Sequence, residues 1–401
     1  MGGCFNIEPD DDRYKNTSGS AQAGYRFDNG AEIDMHLMRS EGEVEYDGSF
    51  ANQSDTRFQV AGGSLSFNPL DFWQLTLSAG RHWDESRNYL DGMFSNDFDS
   101  RRDTYSIQND TFIEDNHTLT FGFDYQDDSI SGTTNYDRDS RNNKGLFAQY
   151  LGRFDAQEIQ FSIREDDNQQ FGRQTTGNAG WGYTWNPQFR IFASYGTAFK
   201  APTFNDLYFP GFSNPELEPE ESRSSEIGIY GNPAWGNWSV NVYQTHIDEL
   251  ISFDPLLSRP INVDEARIRG LEAVLSTIIY AWQVSTSLTL LDPENTSNGI
   301  NDGNVLPRRA RQSFRLDLNR QFGLLGIGGT VFATDKRYDD LANNRELSGY
   351  ATVDLRSEVI IANHWRLQGL IENIFDKDYQ TASYYNQAGR SAFITLRYEP
   401  K

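Results

Sequence analysis

Hydrophobic and polar residues alternate along most of the chain. Leu119, Phe121, Phe123 and Tyr125 are separated by Thr120, Gly122 and Asp124. Ala31, Ile33, Met35 and Leu37 are separated by Glu32, Asp34 and His36. Trp365, Leu367, Gly369 and Ile371 repeat the pattern, as do Ala392, Ile394, Leu396 and Tyr398. A period of two places apolar side chains on one face of a strand and polar ones on the other. About 19 such segments can be drawn, many near the ~10 residues that a tilted membrane strand needs. No helical period extends over a useful length. The pattern predicts an all-β chain.

The connections sharpen this. Short turns are predicted at Asp28-Asn29-Gly30, Asn68 to Asp71, Glu114 to His117, Asp155 to Gln157 and Asn186 to Gln188. Others follow at Asn232 to Asn237, Ile278 to Ala281, Phe322 to Leu324 and Ala362 to His364. Between them lie longer polar connections, at 85–101, 127–141, 200–222, 292–311 and 376–390. In an up-and-down antiparallel sheet every second connection lies on the same side. One side then has tight turns and the other long loops, as in transmembrane barrels of the outer-membrane type. Phe72, Trp73, Trp185, Trp235, Trp238, Trp282 and Trp365 stand beside the short turns, where an aromatic girdle would meet the bilayer edge.

Composition changes the picture in one respect. Only 37% of residues are hydrophobic, yet 14% are aromatic. A disordered chain is depleted in aromatics. A wide barrel faces lipid outside and polar groups inside, so about half of its strand residues are polar. The chain carries 35 Lys+Arg against 58 Asp+Glu, a formal net charge of −23. That balance argues against nucleic acid as a partner, which wants a basic face. Cys4 is the single cysteine, so no disulfide forms within the chain. No apolar run is long enough for a transmembrane helix, which leaves a barrel as the way across a membrane.

Four stretches carry a family resemblance. They are "SYGTAFKAPTFNDLY" (Ser194 to Tyr208) with "NPELEPEESRSSEIGIY" (Asn214 to Tyr230), then "INVDEARIRGLEA" (Ile261 to Ala273), "LPRRARQSFRLDL" (Leu306 to Leu318) and "ENIFDKDYQTASYYNQAGR" (Glu372 to Arg390). The chain resembles the TonB-dependent outer-membrane receptors, and within them the cobalamin (vitamin B12) receptor group. The resemblance implies a transmembrane antiparallel up-and-down barrel of 22 strands around a plug. Residues 1–401 then form one barrel domain. A plug, a TonB box and about three strands are expected ahead of it. The family usually closes on an aromatic residue, whereas here Tyr398 is followed by Glu399, Pro400 and Lys401.

The same resemblance implies the sites. Carboxylate clusters attract hard cations, and the family's calcium-ligand roles carry over to Asp10, Asp12, Tyr46, Asp47 and Asp55. Arg13 stands where the family often has Gly. Tyr385, Arg308 and Tyr46 are expected to line the ligand pocket, with Tyr384, Asn386 and Arg309 beside them. Tyr rings can pack on a flat macrocycle while their hydroxyls bind its polar edge. The implied function is uptake of cobalamin across the bacterial outer membrane, energised through the TonB complex, with outer-membrane lipid around the barrel. A receptor for an iron siderophore or haem is the alternative within the family, and a passive porin-like barrel the alternative outside it. Catalysis is not expected. The five histidines show no metal spacing, and no phosphate-binding loop, HExxH or GxSxG motif is present.

Overall fold

A computed structural model describes residues 12–254 and 257–399. Cys4 and Asp10 therefore lie outside the described residues. Strands come in hairpins joined by tight turns: β1 (Tyr14–Arg26) with β2 (Glu32–Glu45), β3 (Gln53–Leu70) with β4 (Trp73–Leu90), and β5 (Met93–Ile113) with β6 (His117–Gly132). Next are β7 (Ser140–Phe154) with β8 (Gln157–Asn168) and β9 (Gly172–Asn186) with β10 (Phe189–Lys200). A short helix, α1 (Phe204–Tyr208), precedes β11 (Glu220–Gly231), β12 (Gly236–Asp254), β13 (Arg259–Ile279) and β14 (Trp282–Asn295). The remaining elements are β15 (Gln312–Phe322), β16 (Leu325–Thr334), β17 (Arg337–Tyr338), β18 (Glu346–Leu347), β19 (Tyr350–Ala362), β20 (Trp365–Glu372), β21 (Gln380–Ala382), β22 (Tyr385–Asn386) and β23 (Ser391–Tyr398). Among the described residues, nineteen strands make one antiparallel sheet, and the short pairs β17/β18 and β21/β22 belong to loops. The expected strand number and all nine expected turns are borne out. No described helix is long and apolar enough to cross a membrane, which says nothing against crossing by strands.

Two connections differ from expectation. Residues 85–101 are not a long loop. β4 and β5 continue through them and close in a two-residue turn, with Leu90 paired to Met93. Asp91 and Gly92 both take positive φ, 51° and 76°, the mirror-image turn that matches strand twist. Residues 127–141 likewise shrink to a loop at 133–139. The helix α1 is a further departure from the all-strand expectation. It starts with a capping box, Thr203 accepting from Asp206 N while Asp206 accepts from Thr203 N.

The chain falls into two compact units, one drawn from 1–181, 195–222 and 249–262, the other from 182–194, 223–248 and 263–401. In the first unit, one register line joins Ile33, Leu65, Leu77, Ile107, Phe123 and Leu146 across six strands. These side chains form an apolar row on one face. Eight residues further along β2, the same face carries the row Glu41, Arg57, Glu85 and Asp99. Arg57 pairs with both Glu41 (3.1 Å) and Glu85 (2.9 Å). Eight residues span about 26 Å of strand at ~3.3 Å each, or roughly 20 Å of height at the usual tilt, most of a lipid-facing band. The apolar-to-charged change on one face thus marks where lipid ends.

The second unit has the same two faces. Leu316, Leu318, Val331, Val353, Leu355, Ile371 and Ile394 line a broad apolar depression of about 800 Å³. The opposite face carries Gln283, Asn319, Arg356, Glu358, Gln368 and Thr395, which line a separate cavity of about 780 Å³. Arg356 is tied there by Nε to Asn319 Oδ1 and by Nη1 to Thr330 Oγ1, both at 2.7 Å. Arg366 and Gln368 both donate to Glu358. Polar groups on this face satisfy one another, as groups sharing a water-filled or protein-filled lumen must.

Candidate ligand-binding loops

The nine turns expected from the sequence occupy one end of the strands; the other end carries the folded loops, together with tight closures at Asp91-Gly92 and at 169–171. Two loop assemblies stand out, one in each unit. In the first unit, the "APTFNDLY" segment forms a miniature core. Pro202 and Leu207 are fully buried, with Phe204 and Leu217 nearly so. The Arg141 guanidinium lies 4.9 Å from the Phe204 ring and donates to Pro202 O at 2.9 Å. Tyr136 donates its hydroxyl to Asn205, and Gln170 donates to the Tyr208 hydroxyl. Asn262 clamps the far end of the loop. Its Oδ1 accepts from Glu218 N, and its Nδ2 donates to Glu218 O and Glu249 O. The stretch with the strongest family signature therefore does structural work here, fixing a loop that is too polar to fold alone.

In the second unit, residues 296–311 and 335–349 lock together. Leu306 is fully buried, and Val305, Leu341 and Leu347 are buried around it. Asn343 accepts from Val305 N and donates back to Val305 O, both at 2.8 Å. Asp340, itself buried, accepts from the backbone N–H of Asn344 and Arg345. This core presents Arg308. Its backbone N donates to Tyr338 O at 2.6 Å, and its Nε donates to Asp339 Oδ1 at 2.7 Å. Arg308 also takes a positive φ of 60°, a conformation that the flanking contacts must hold.

The 373–390 loop joins the same region. Arg345 lies 6.0 Å from the Tyr384 ring, within cation–π range. Tyr379 stacks on Tyr350 at 4.0 Å. Burial, and then the facing Tyr350, push the Tyr379 phenol above its ordinary value. Tyr385 sits in β22, half exposed, opposite Ala382. Arg308 and the Tyr384–Tyr385 pair are thus both borne on loops that contact 335–349. The sequence reading missed that supporting loop. A signal for it exists in Asp339-Asp340 and Asn343-Asn344, a turn-forming cluster between two strands.

Of the five residues with expected calcium roles, the four that are described are placed differently. Asp12 is exposed at the start of the described chain, and Asp47 lies in the 46–52 loop. The Tyr46 hydroxyl bonds to Ser54 Oγ at 2.9 Å, and Ser54 donates to Asn88 Oδ1 at 2.6 Å. Asp55 is next in sequence to Ser54 and so points to the opposite face. There it lines a cavity of about 360 Å³ with Lys15, Arg57 and Arg87. Glu41, Glu43 and Glu85 line the same cavity, and Lys15 and Arg57 pair with these glutamates. Among the described residues no group of three or more His, Cys, Asp or Glu is gathered as a metal site.

A wide two-faced membrane sheet with tight turns at one end and folded polar loops at the other defines a large outer-membrane barrel. The family described as "TonB dependent receptor-like, beta-barrel" matches residues 5–374. The chain belongs to that family, which lies in the bacterial outer membrane and consists of receptors and transporters, not enzymes. It is 30% identical over 406 residues to the vitamin B12 transporter BtuB of Photobacterium profundum, covering 98% of this chain and 66% of that protein. It is 30% identical over 394 residues to the vitamin B12 transporter BtuB of Vibrio vulnificus, covering 93% and 63%. The chain thus spans slightly less than two thirds of the length of these curated relatives. Among solved structures it resembles the copper transporter OprC (TM-score 0.82, 16% identity, 96% of this chain and 72% of that one). It also resembles the siderophore receptor PiuA from Acinetobacter baumannii (TM-score 0.80, 16% identity, 99% and 75%). At that identity the structures speak to the fold alone.

Proposed function

We propose that this chain is the barrel portion of an outer-membrane transporter that takes up cobalamin, energised by the TonB complex in the whole protein. The observation that carries the reading is the 30% identity to vitamin B12 transporters, which extends over 98% of the chain. Loop geometry supports it. The 296–311, 335–349 and 373–390 loops present an arginine and two tyrosines from a folded base. Tyr rings can lie on a flat corrin, and Arg308 can meet its amide oxygens or phosphate. Tyr46, hydrogen-bonded to Ser54, is a further contact in this reading. The carboxylates of Asp10, Asp12 and Asp47 have the oxygen chemistry that suits calcium. In this reading the ion would order the 46–52 loop, while Asp55, on the face opposite to Ser54, contributes least.

The test is uptake. The protein as encoded is expressed in a bacterium that lacks its own cobalamin receptor and depends on external cobalamin for growth. The reading expects growth on nanomolar cobalamin that requires TonB. Growth restored instead on a ferric siderophore would move the assignment to iron. Growth independent of TonB would mark a passive pore.

A further inference from the structure

We infer that an outward-facing groove between β11 and β14 holds a membrane lipid with an anionic phosphate headgroup, its acyl chain below and its phosphate on Arg269. The groove has a volume of about 490 Å³, and its lower walls are Ile227, Val242, Leu271 and Leu290. Ile227 and Val242 are 64% and 53% exposed, an arrangement that suits only an apolar neighbour. Its upper rim carries Arg269 and Gln244, with Asp292 opposite Arg269.

The height of the rim fits a headgroup. Arg269 stands ten residues from Ile279 at the tight-turn end of β13. That is about 33 Å of strand at ~3.3 Å per residue, or roughly 25 Å of height at the usual tilt, the full lipid-facing band. Arg269 thus sits where acyl chains end and phosphates begin.

Its pairing is unusual for this face. Arg223 pairs with Asp248 at 2.9 Å, and Arg267 pairs with Glu294. Arg269 has no ion pair among the described residues, although Asp292 is its register partner across β14. Its one hydrogen bond there runs from Nε to Gln244 Oε1 at 2.8 Å. Gln244 is itself fixed by His246, 2.7 Å from its Nε2. The guanidinium is therefore held through Nε by a neutral group, and its Nη donors have no protein partner among the described residues. A planar fork of donors suits a phosphate oxygen pair, and Asp292, which lines the same groove, forms no ion pair with Arg269 among the described residues. An arginine whose charge was meant only for solvent would not need an apolar groove beneath it.

The experiment uses the purified protein in detergent, mixed with dioleoyl phosphatidylglycerol or dioleoyl phosphatidylcholine, with retained lipid counted by native mass spectrometry. Wild type is expected to retain phosphatidylglycerol in preference to phosphatidylcholine. Arg269→Gln should lower that retention by about tenfold, the order of one lost charge-assisted contact. Arg223→Gln, which removes a paired arginine on the same face, should leave it unchanged. Val242→Trp, which fills the groove and leaves Arg269 intact, should reduce retention of both lipids and gives an independent reading if Arg269→Gln does not fold. Equal retention by wild type and Arg269→Gln overturns the inference. So does an equal loss in Arg223→Gln, or displacement of the lipid by millimolar inorganic phosphate, which would mark a free-ion site.

Discussion

Arg308 donates from Nε to Asp339 at 2.7 Å, joining two loops that are 31 residues apart. The carboxylate is nearly buried while the guanidinium is 59% exposed. The pair therefore aims a cation outward from a fixed base. An exposed pair of this kind contributes little to stability, about 0–1 kcal/mol. Its value lies in holding one orientation. Asp339→Asn is expected to weaken cobalamin binding several-fold while shifting the thermal midpoint by only a degree or two. A titration beside a melting curve separates the two effects. A large stability loss with unchanged affinity would assign the pair to folding instead.

The loop bases are small cores and should behave as such. Leu207 and Leu306 are each fully buried within a loop assembly. Truncation to alanine typically costs about 2–5 kcal/mol at such sites. Here the loss falls on the loop and not on the barrel. Leu207→Ala should make residues 201–219 protease-sensitive, and Leu306→Ala should do so for residues 296–311. The strands should keep their circular dichroism. Cutting at wild-type rates in both variants would show that the loops hold without these cores.

The face assignment can be tested by one pair of neighbours. Leu77 lies in the apolar register line, and Ser78 points to the other face beside Ser64 and Ser106. An arginine on the lipid face near mid-bilayer costs about 2–4 kcal/mol, and on the lumen face far less. Leu77→Arg should therefore lower folding yield into lipid vesicles much more than Ser78→Arg. Equal penalties at both positions would contradict the two-faced sheet.

Gly270 marks a close approach within the second unit. A Cβ there would meet the Tyr243 ring at 2.2 Å, and the Tyr243 hydroxyl donates to Glu272 at 3.1 Å. The ring covers the bare glycine backbone. Gly270→Ala should displace Tyr243 and lower the thermal midpoint in detergent by several degrees, as overpacking costs about 1–3 kcal/mol. Combining it with Tyr243→Ala should recover part of the loss, since the clash is then absent. No recovery in the double variant would place the strain in the backbone.

Much of this fold is legible from alternation alone, because a lipid-facing row such as Ile33 to Leu146 forces period two wherever the strand lies in the bilayer. The signal fails where strands rise above it. Residues 85–101 lose the apolar row, carrying Glu85, Arg87, Asp97 and Asp99 on the face that bears Leu77 and Ile107 further down. They read as loop, although Asp91-Gly92 names the turn. The candidate ligand loops are legible only through family resemblance. Arg308, Tyr384 and Tyr385 emerge that way, but the 335–349 loop that supports them does not. Its contacts are long-range hydrogen bonds, such as Asn343 to Val305, that no local pattern announces. Likewise, the resemblance gives Tyr46 and Asp55 one site, whereas strand pleating turns Ser54, the partner of Tyr46, and Asp55 to opposite faces.

The most direct measurement is equilibrium binding of cyanocobalamin to the detergent-purified protein, wild type against Arg308→Ala with Tyr385→Ala. The expected result is saturable binding by wild type and at least a tenfold weaker affinity in the double variant, about 1.4 kcal/mol, with both proteins melting alike. Saturable binding with the same affinity in both would remove the loops from the site. An absence of cobalamin binding by wild type, alongside tight binding of a ferric siderophore, would contradict the assignment itself.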